Sequence, residues 1–138
     1  MSTILLDTNA YSLFVGGDNK IKKAFDEARL VYLSATSVGE LYAGFLKGNR
    51  LNENMSTLNN FFKLEKVTLL AITRKTSEIY GKVAFQLHKA GTPIPQNDIW
   101  VAASAIESKS VVVTYDSHFL AIPKLKIWPE LEKNRSKG

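Results

Sequence analysis

The 138 residues contain no cysteine, which excludes disulfides, thiolate metal sites and cysteine nucleophiles together. Histidine is nearly as scarce. His88 and His118 are the only two, thirty positions apart, and neither pairs with a second histidine or a cysteine. No apolar run approaches the length of a membrane span. The N-terminus lacks a basic segment followed by an apolar one, so no secretory signal is expected. Neither a P-loop nor a G-x-G-x-x-G is present, which leaves nucleotide cradling unsupported. Repeats, low-complexity segments and internal linkers are missing as well. What remains is the profile of a soluble chain without a membrane partner, expected in the cytoplasm.

The length suits one domain, and an apolar share of 45% suffices for a core. One domain over residues 1–132 is expected, followed by a loose basic tail over 133–138 carrying Lys133, Arg135 and Lys137. Lysine and arginine number 18 against 13 acids, for a net charge of +5. That excess favours polyanionic partners, although many small domains carry such a charge for solubility alone.

The rest of the chain is arranged around Ile4-Leu5-Leu6-Asp7-Thr8-Asn9. A run that is apolar at every position suits a strand covered on both faces, as in a parallel sheet flanked by helices. Asp7 ends that strand, and open α/β sheets bind ligands beyond the carboxyl ends of their strands. Thr8 and Asn9 are placed to cap the next helix. The same stretch also fits a buried strand closed by an ordinary turn.

Further along, Ala10 to Val15 predicts a short helix, and Asp18 caps a second with Ile21, Phe25 and Ala28 on one face. Leu30 to Leu33 predicts a second strand, ending at Ser34. Val38, Leu41, Tyr42 and Phe45 form the stripe of a third helix, with Glu40 off the stripe. Leu51, Met55, Leu58 and Phe62 mark a fourth, and Val67 to Ile72 a third strand. Thr73 caps a long helix that Gly91 stops, with Pro93 beyond it. Thr92 to Pro95 must be extended. Asn97 and Asp98 open a helix from Ile99 to Ser108 that is apolar nearly all round. Val111 to Thr114 is a fourth strand, and Lys126-Ile127-Trp128 a candidate short edge strand. Strands alternate with helices throughout, which predicts an α/β fold around a parallel sheet of four to five strands.

Four acids occupy positions that this alternation brings to one edge of the sheet. Asp7 and Asp116 each follow an apolar strand, Asp98 opens the most apolar helix, and Glu40 lies on an early turn of a core-packing helix. If they meet, compensation is required: two unit charges about 4 Å apart repel by about 4 kcal/mol at an effective dielectric of about 20. Either some protonate or a cation binds, and hard oxygen ligands select Mg²⁺ or Mn²⁺. Setting these four aside leaves nine acids against 18 basic residues elsewhere. An acidic metal pocket within a basic surface suits a nuclease. Taken singly, each acid has a structural alternative. Ser37-x-x-Glu40 fits a helix capping box, Asp98 suits a helix dipole, and Asp116 in Tyr115-Asp116-Ser117 suits a helix cap.

Other features carry less. His88 reads as a surface helix residue. His118 stands beside the proposed site, within reach of a substrate, with a structural role favoured. Trp100 and Trp128 read as packing residues. Lys47, Arg50, Arg74 and Lys75 are candidate phosphate contacts, with a solvated surface role favoured for each.

Four segments occur in the order seen in PIN-domain proteins. They are Leu5-Leu6-Asp7-Thr8-Asn9, Ser37-x-x-Glu40-Leu41-x-x-Gly44, Ile94-Pro95-x-x-Asp98-x-x-Val101-Ala102-Ala103 and Thr114-Tyr115-Asp116-x-x-Phe119. The chain most closely resembles VapC-type toxin ribonucleases of bacterial and archaeal toxin–antitoxin pairs. The resemblance implies a three-layer α/β/α fold and Mg²⁺- or Mn²⁺-dependent RNA cleavage by a metal-activated water. It matches Asp7, Glu40, Asp98 and Asp116 to the family's acidic quartet. Asp7 and Asp98 would be the main metal ligands, with Glu40 and Asp116 completing the site directly or through water. It matches Thr8, Asn9 and Thr114 to supporting polar positions. It also implies a homodimer, a cognate antitoxin whose C-terminal segment covers the cleft, and a structured RNA substrate such as a tRNA or ribosomal RNA. Two rivals stand beside it. One is a haloacid dehalogenase-type phosphatase with Asp7 as nucleophile, although Asn9 stands where that chemistry wants a second Asp. The other is a non-catalytic RNA-binding domain whose acids only cap helices.

Overall fold

The computed structural model describes residues 2–132. Ten regular elements and a 3₁₀ turn follow one another in the expected alternation. They are β1 (Thr3–Leu6), α1 (Thr8–Val15), α2 (Asn19–Glu27), β2 (Leu30–Ser34), α3 (Ala35–Lys47), α4 (Leu51–Phe62), β3 (Val67–Leu70), α5 (Arg74–Ala90), α6 (Gln96–Ser108), β4 (Val111–Val113) and the 3₁₀ turn Ser117–Ala121. The strands form one sheet in the order β3-β2-β1-β4. Every pairing is parallel, with Leu6 opposite Leu33 on one side and Val113 on the other.

This order positions the site. From β1 the chain steps outward through β2 to β3, then returns to place β4 on the opposite flank of β1. The direction of winding reverses between β1 and β4, and a crevice opens beyond the carboxyl ends of strands at such a switch point. Asp7 follows β1 directly, and Thr114 follows β4 directly.

Two separate cores confirm the three layers. Ile4 and Leu6 face one side of the sheet, packed with Tyr11, Ile21, Phe25, Leu41, Leu58 and Phe61 from α1 to α4. Leu5 and Val112 face the other, packed with Val83, Leu87, Val101 and Ala102 from α5 and α6. The alternation of Ile4, Leu5 and Leu6 is the two-residue period of a strand buried on both faces. Ala102, Ala103 and Ala105 are fully buried, so the small residues of α6 do pack closely.

Boundaries differ from expectation at several points. The helix after β1 starts at Thr8 instead of Ala10 because Asp7 itself is the cap, accepting from the Ala10 N–H at 2.7 Å; Thr8 and Asn9 lie inside the first turn. The helix expected from Ile99 starts at Gln96, immediately after Pro95, where the fixed φ of proline suits helix entry. On α4 the buried aromatic is Phe61, with Phe62 only partly covered and Leu51 exposed. Strand β3 stops at Leu70. The segment Lys126–Trp128 makes one parallel bridge, Ile127 to Val112, on the outer edge of β4. At the far end of α5, Gly91 takes the left-handed conformation (φ 71°) and its N–H bonds back to the His88 carbonyl, the stop that Gly91 predicts. No helix among the described residues is long and apolar enough to cross a membrane. The tail expected over 133–138 lies outside the described residues.

Candidate metal centre

Asp7 is the most enclosed of the four acids, with 6% of its surface exposed. Its two carboxylate oxygens are held separately. Oδ1 accepts from the Ala10 N–H at 2.7 Å, and Oδ2 accepts from the Thr114 hydroxyl at 2.5 Å. Burial is the main force on its ionisation and lifts the pKa from 3.8 to about 6. The two hydrogen bonds pull it down, and the nearby charges of Asp116 and Asp98 push it up again.

Thr114, fully buried, does two jobs. Its hydroxyl donates to Asp7 and accepts from the Asp116 N–H at 2.9 Å. The residue after β4 therefore fixes both the first acid and the backbone that carries the last. Between them, Tyr115 anchors the same loop, donating its hydroxyl to the Asp18 carboxylate at 3.1 and 3.2 Å and setting its ring edge-on to Trp128.

Asp98 sits in the first turn of α6, half-buried. Burial raises its pKa, the hydrogen bond and charge of His118 lower it, and the charges of Asp116 and Glu40 raise it. Asp116 caps the 3₁₀ turn, its Oδ1 accepting from the His118 N–H at 2.9 Å. That turn swings the His118 ring back over the cleft. Its Nδ1 lies 3.1 Å from Asp98 Oδ2 and 3.2 Å from Asp116 Oδ1. The two acids so contacted form no ion pair with lysine or arginine among the described residues.

Glu40 reaches the cleft from α3, and the capping-box expectation for it does not hold. The cap of α3 is Ser34, whose hydroxyl accepts from the Ser37 N–H at 3.2 Å. Ser37 thus lies inside the helix and Glu40 beyond its first turn, free to point outward. Glu40 Oε1 accepts from the Thr8 hydroxyl at 2.7 Å, and Oε2 from Asn97 Nδ2 at 3.3 Å. Contacts across 32 and 57 residues are tertiary, so this side chain is committed to the cleft and not to its own helix terminus.

One open cleft is lined by Glu40, Asn97, Asp98, Asp116 and His118. A second, lined by Asn9, Ser12, Leu13 and Tyr115, adjoins it across Asp116. Thr8 and Thr114 hold acids directly, whereas Asn9 lines the adjoining cleft. Lys47, Arg50, Arg74 and Lys75 are exposed and line neither cleft; Arg50 pairs with Glu53. Trp100 stacks on Tyr80 at 4.0 Å and Trp128 is buried, both packing residues as expected. Sequence reasoning placed His118 beside the site, where it lies, but missed Asn97 as a partner of Glu40 and the contacts of His118 with Asp98 and Asp116. The signal available for His118 was its position two residues after an acid able to cap a tight turn.

The donor set suits a divalent cation. Ligand atoms of Asp98, Asp116 and His118 lie within 4.8 Å of one another, and the charges of Asp116 and Asp98 reach the buried Asp7. Hard carboxylate oxygens crowded together without a lysine or arginine partner match Mg²⁺ or Mn²⁺ chemistry.

A family model described as PIN domain matches residues 4–125. The chain is similar to Ribonuclease VapC4 of Mycobacterium tuberculosis (strain ATCC 25618 / H37Rv), with 25% identity over 95 residues covering 69% of this chain and 73% of that protein. In three dimensions it is similar to VapBC-1 from nontypeable Haemophilus influenzae, with a TM-score of 0.80 and 26% identity over 91% of this chain and 96% of that one. It is also similar to the DNA-bound VapBC from Salmonella typhimurium, with a TM-score of 0.82 and 24% identity over 93% and 98% of the two chains; this last likeness bears on the fold alone.

Proposed function

The chain belongs to the PIN domain family, and on that premise we propose that it is a metal-dependent endoribonuclease, the toxin member of a toxin–antitoxin pair. The observation that carries the proposal is the convergence of Asp98, Asp116 and Glu40 on one cleft above the buried Asp7, at the switch point between β1 and β4. The relatives named as VapC ribonucleases and VapBC complexes support it. The haloacid dehalogenase alternative is not favoured, because Asn9 stands where that chemistry wants a second Asp. A domain that only binds RNA is not favoured either, since Glu40 caps no helix.

Asp7 and Asp98 are the proposed principal ligands of Mg²⁺ or Mn²⁺, with Asp116 and Glu40 completing the site. When bound, such an ion neutralises charge on the phosphate and lowers the pKa of a coordinated water. The chain's own residues supply the rest. Thr114 holds Asp7 in one orientation. Thr8 and Asn97 hold Glu40 at the rim, where its carboxylate can orient the attacking water and accept its proton. Asp116, lining the same cleft, offers a second acceptor. In-line attack forms a bond from the water oxygen to phosphorus and breaks the bond to the 3′ oxygen, which takes a proton from solvent, leaving a 5′-phosphate and a 3′-hydroxyl. The net positive charge of the chain draws the RNA backbone to the acidic cleft. The substrate is taken to be a structured RNA such as a tRNA or ribosomal RNA. The partners are taken to be a cognate antitoxin and a second copy of the chain, in the cytoplasm.

The test is RNA cleavage by the full chain with Mn²⁺ or Mg²⁺, with EDTA, and with the Asp98→Asn variant. Cleavage should require the metal and vanish in the variant. Cleavage that persists in EDTA, or at full rate in Asp98→Asn, rejects the proposal.

A further inference from the structure

We propose that His118 is itself a ligand, through Nδ1, of the divalent ion held by Asp98 and Asp116, and that this nitrogen donor biases the site toward Mn²⁺ over Mg²⁺. The inference rests on the metal-centre reading above and extends it to the identity of the metal.

The geometry is specific. His118 Nδ1 stands 3.1 Å from one carboxylate oxygen and 3.2 Å from another, the two belonging to residues on different elements. Adjacent ligands of an octahedral ion with bonds of about 2.1 Å are about 3.0 Å apart, so both separations fit neighbouring corners of one coordination sphere. A plain hydrogen bond accounts for only one of them. The ring nitrogen has a single in-plane direction, and the hydrogen-bond geometry is met toward Asp98 alone. Asp116 Oδ1 comes as close without that alignment, while already accepting the His118 backbone N–H. One nitrogen facing two anionic oxygens is the arrangement that a cation between them satisfies.

The turn explains how the ring is held there. Asp116 caps the 3₁₀ helix through the backbone N–H of His118, which fixes the main chain at His118 beside the two carboxylates. The His118 side chain is 49% exposed. The Nε2–H can therefore remain hydrated when Nδ1 gives its lone pair to a metal. Imidazole suits transition ions, whereas Mg²⁺ takes oxygen ligands almost exclusively. The three-atom set of Asp98, Asp116 and His118 is accordingly mixed in a way that an all-oxygen site is not.

The test uses Mn²⁺ as the probe and electron paramagnetic resonance as the readout, with no reference to activity. Binding is followed by loss of the free Mn²⁺ signal. Coordination is then read from the nitrogen-14 modulation of the bound ion at low temperature. The wild-type chain should bind Mn²⁺ with nitrogen modulation of a directly bound imidazole. His118→Gln should lose that modulation, bind Mn²⁺ about tenfold more weakly, and require less Mg²⁺ to displace it. Wild-type protein that binds Mn²⁺ without nitrogen modulation overturns the role of His118 and leaves the acidic site standing, provided Asp98→Asn abolishes binding. Folded wild-type protein that binds no Mn²⁺ overturns the metal centre and this inference with it.

Discussion

Thr114 donates its hydroxyl hydrogen to Asp7 Oδ2 from a fully buried position 107 residues away in sequence. The same hydroxyl oxygen accepts from the Asp116 N–H, so one hydroxyl ties the ends of β1 and β4 together beneath the cleft. Thr114→Val keeps the shape and removes both bonds. A hydrogen bond to a charged group is worth about 1.5–3 kcal/mol, and a loss of that order should appear in urea unfolding at neutral pH. Thr114→Ser retains the hydroxyl and should recover most of it. A valine variant as stable as wild type would mean that the hydroxyl bridge contributes nothing.

Asp7 weakens the fold that it serves. Its pKa is about 6 in the folded protein against 3.8 for an unperturbed aspartate, so the folded state holds the proton more tightly than the unfolded state. The resulting cost is absent below the unfolded pKa, grows as pH rises between about 4 and 6, and is full above that. The gap corresponds to about 3 kcal/mol. Asp7→Asn removes the charge but keeps only one acceptor oxygen, which offsets about 1 kcal/mol. The variant should therefore be more stable than wild type by about 1–2 kcal/mol at pH 7, with the advantage gone by about pH 4, while activity is lost. Paired urea titrations at the two pH values check this; a variant less stable at pH 7 contradicts it.

The parts of the site visible in the sequence are those tied to an element boundary. Asp7 ends an unbroken apolar run, Asp98 begins one, and Thr114 to Asp116 follow another, so strand and helix signals alone bring them to one edge. Glu40 is legible as a candidate but not as a choice, because Ser37-x-x-Glu40 fits a capping box as well as a site. The end of β2 decides between them, since a strand running to Ser34 leaves its hydroxyl next in line to cap. Asn97 and Tyr115 are not legible. Their partners, Glu40 and Asp18, lie 57 and 97 residues away, and only the strand order brings them into reach.

The two cap assignments for α3 separate cleanly by mutation. Ser34→Ala should cost about 1 kcal/mol, the usual loss when an N-cap hydroxyl is removed. Glu40→Gln should leave unfolding within about 0.5 kcal/mol, as expected for an exposed side chain outside any cap, yet lower cleavage strongly by removing a proton acceptor. If Glu40→Gln destabilises as much as Ser34→Ala, the carboxylate's bonds to Thr8 and Asn97 hold the fold and not only the cleft. Circular dichroism melts of the two variants, alongside cleavage rates, give the comparison.

Metal should stabilise this protein more at higher pH, and the reason lies in Asp7 and Asp98. Both have raised pKa values, chiefly from burial, and a carboxylate must lose its proton to ligate an ion. Metal therefore competes with protons at these positions, and affinity should fall as pH drops through about 6. Binding to the folded state alone adds about 2.7 kcal/mol when free metal is 100 times the dissociation constant. For a chain of this size that amounts to roughly 8 °C in melting temperature. With Mn²⁺ at a concentration giving that shift at pH 7.5, the shift should shrink to a small fraction of it at pH 5. Asp7→Asn, lacking the buried charge, should show little shift at either pH. A shift of equal size at both values would place the bound ion on groups other than these two acids.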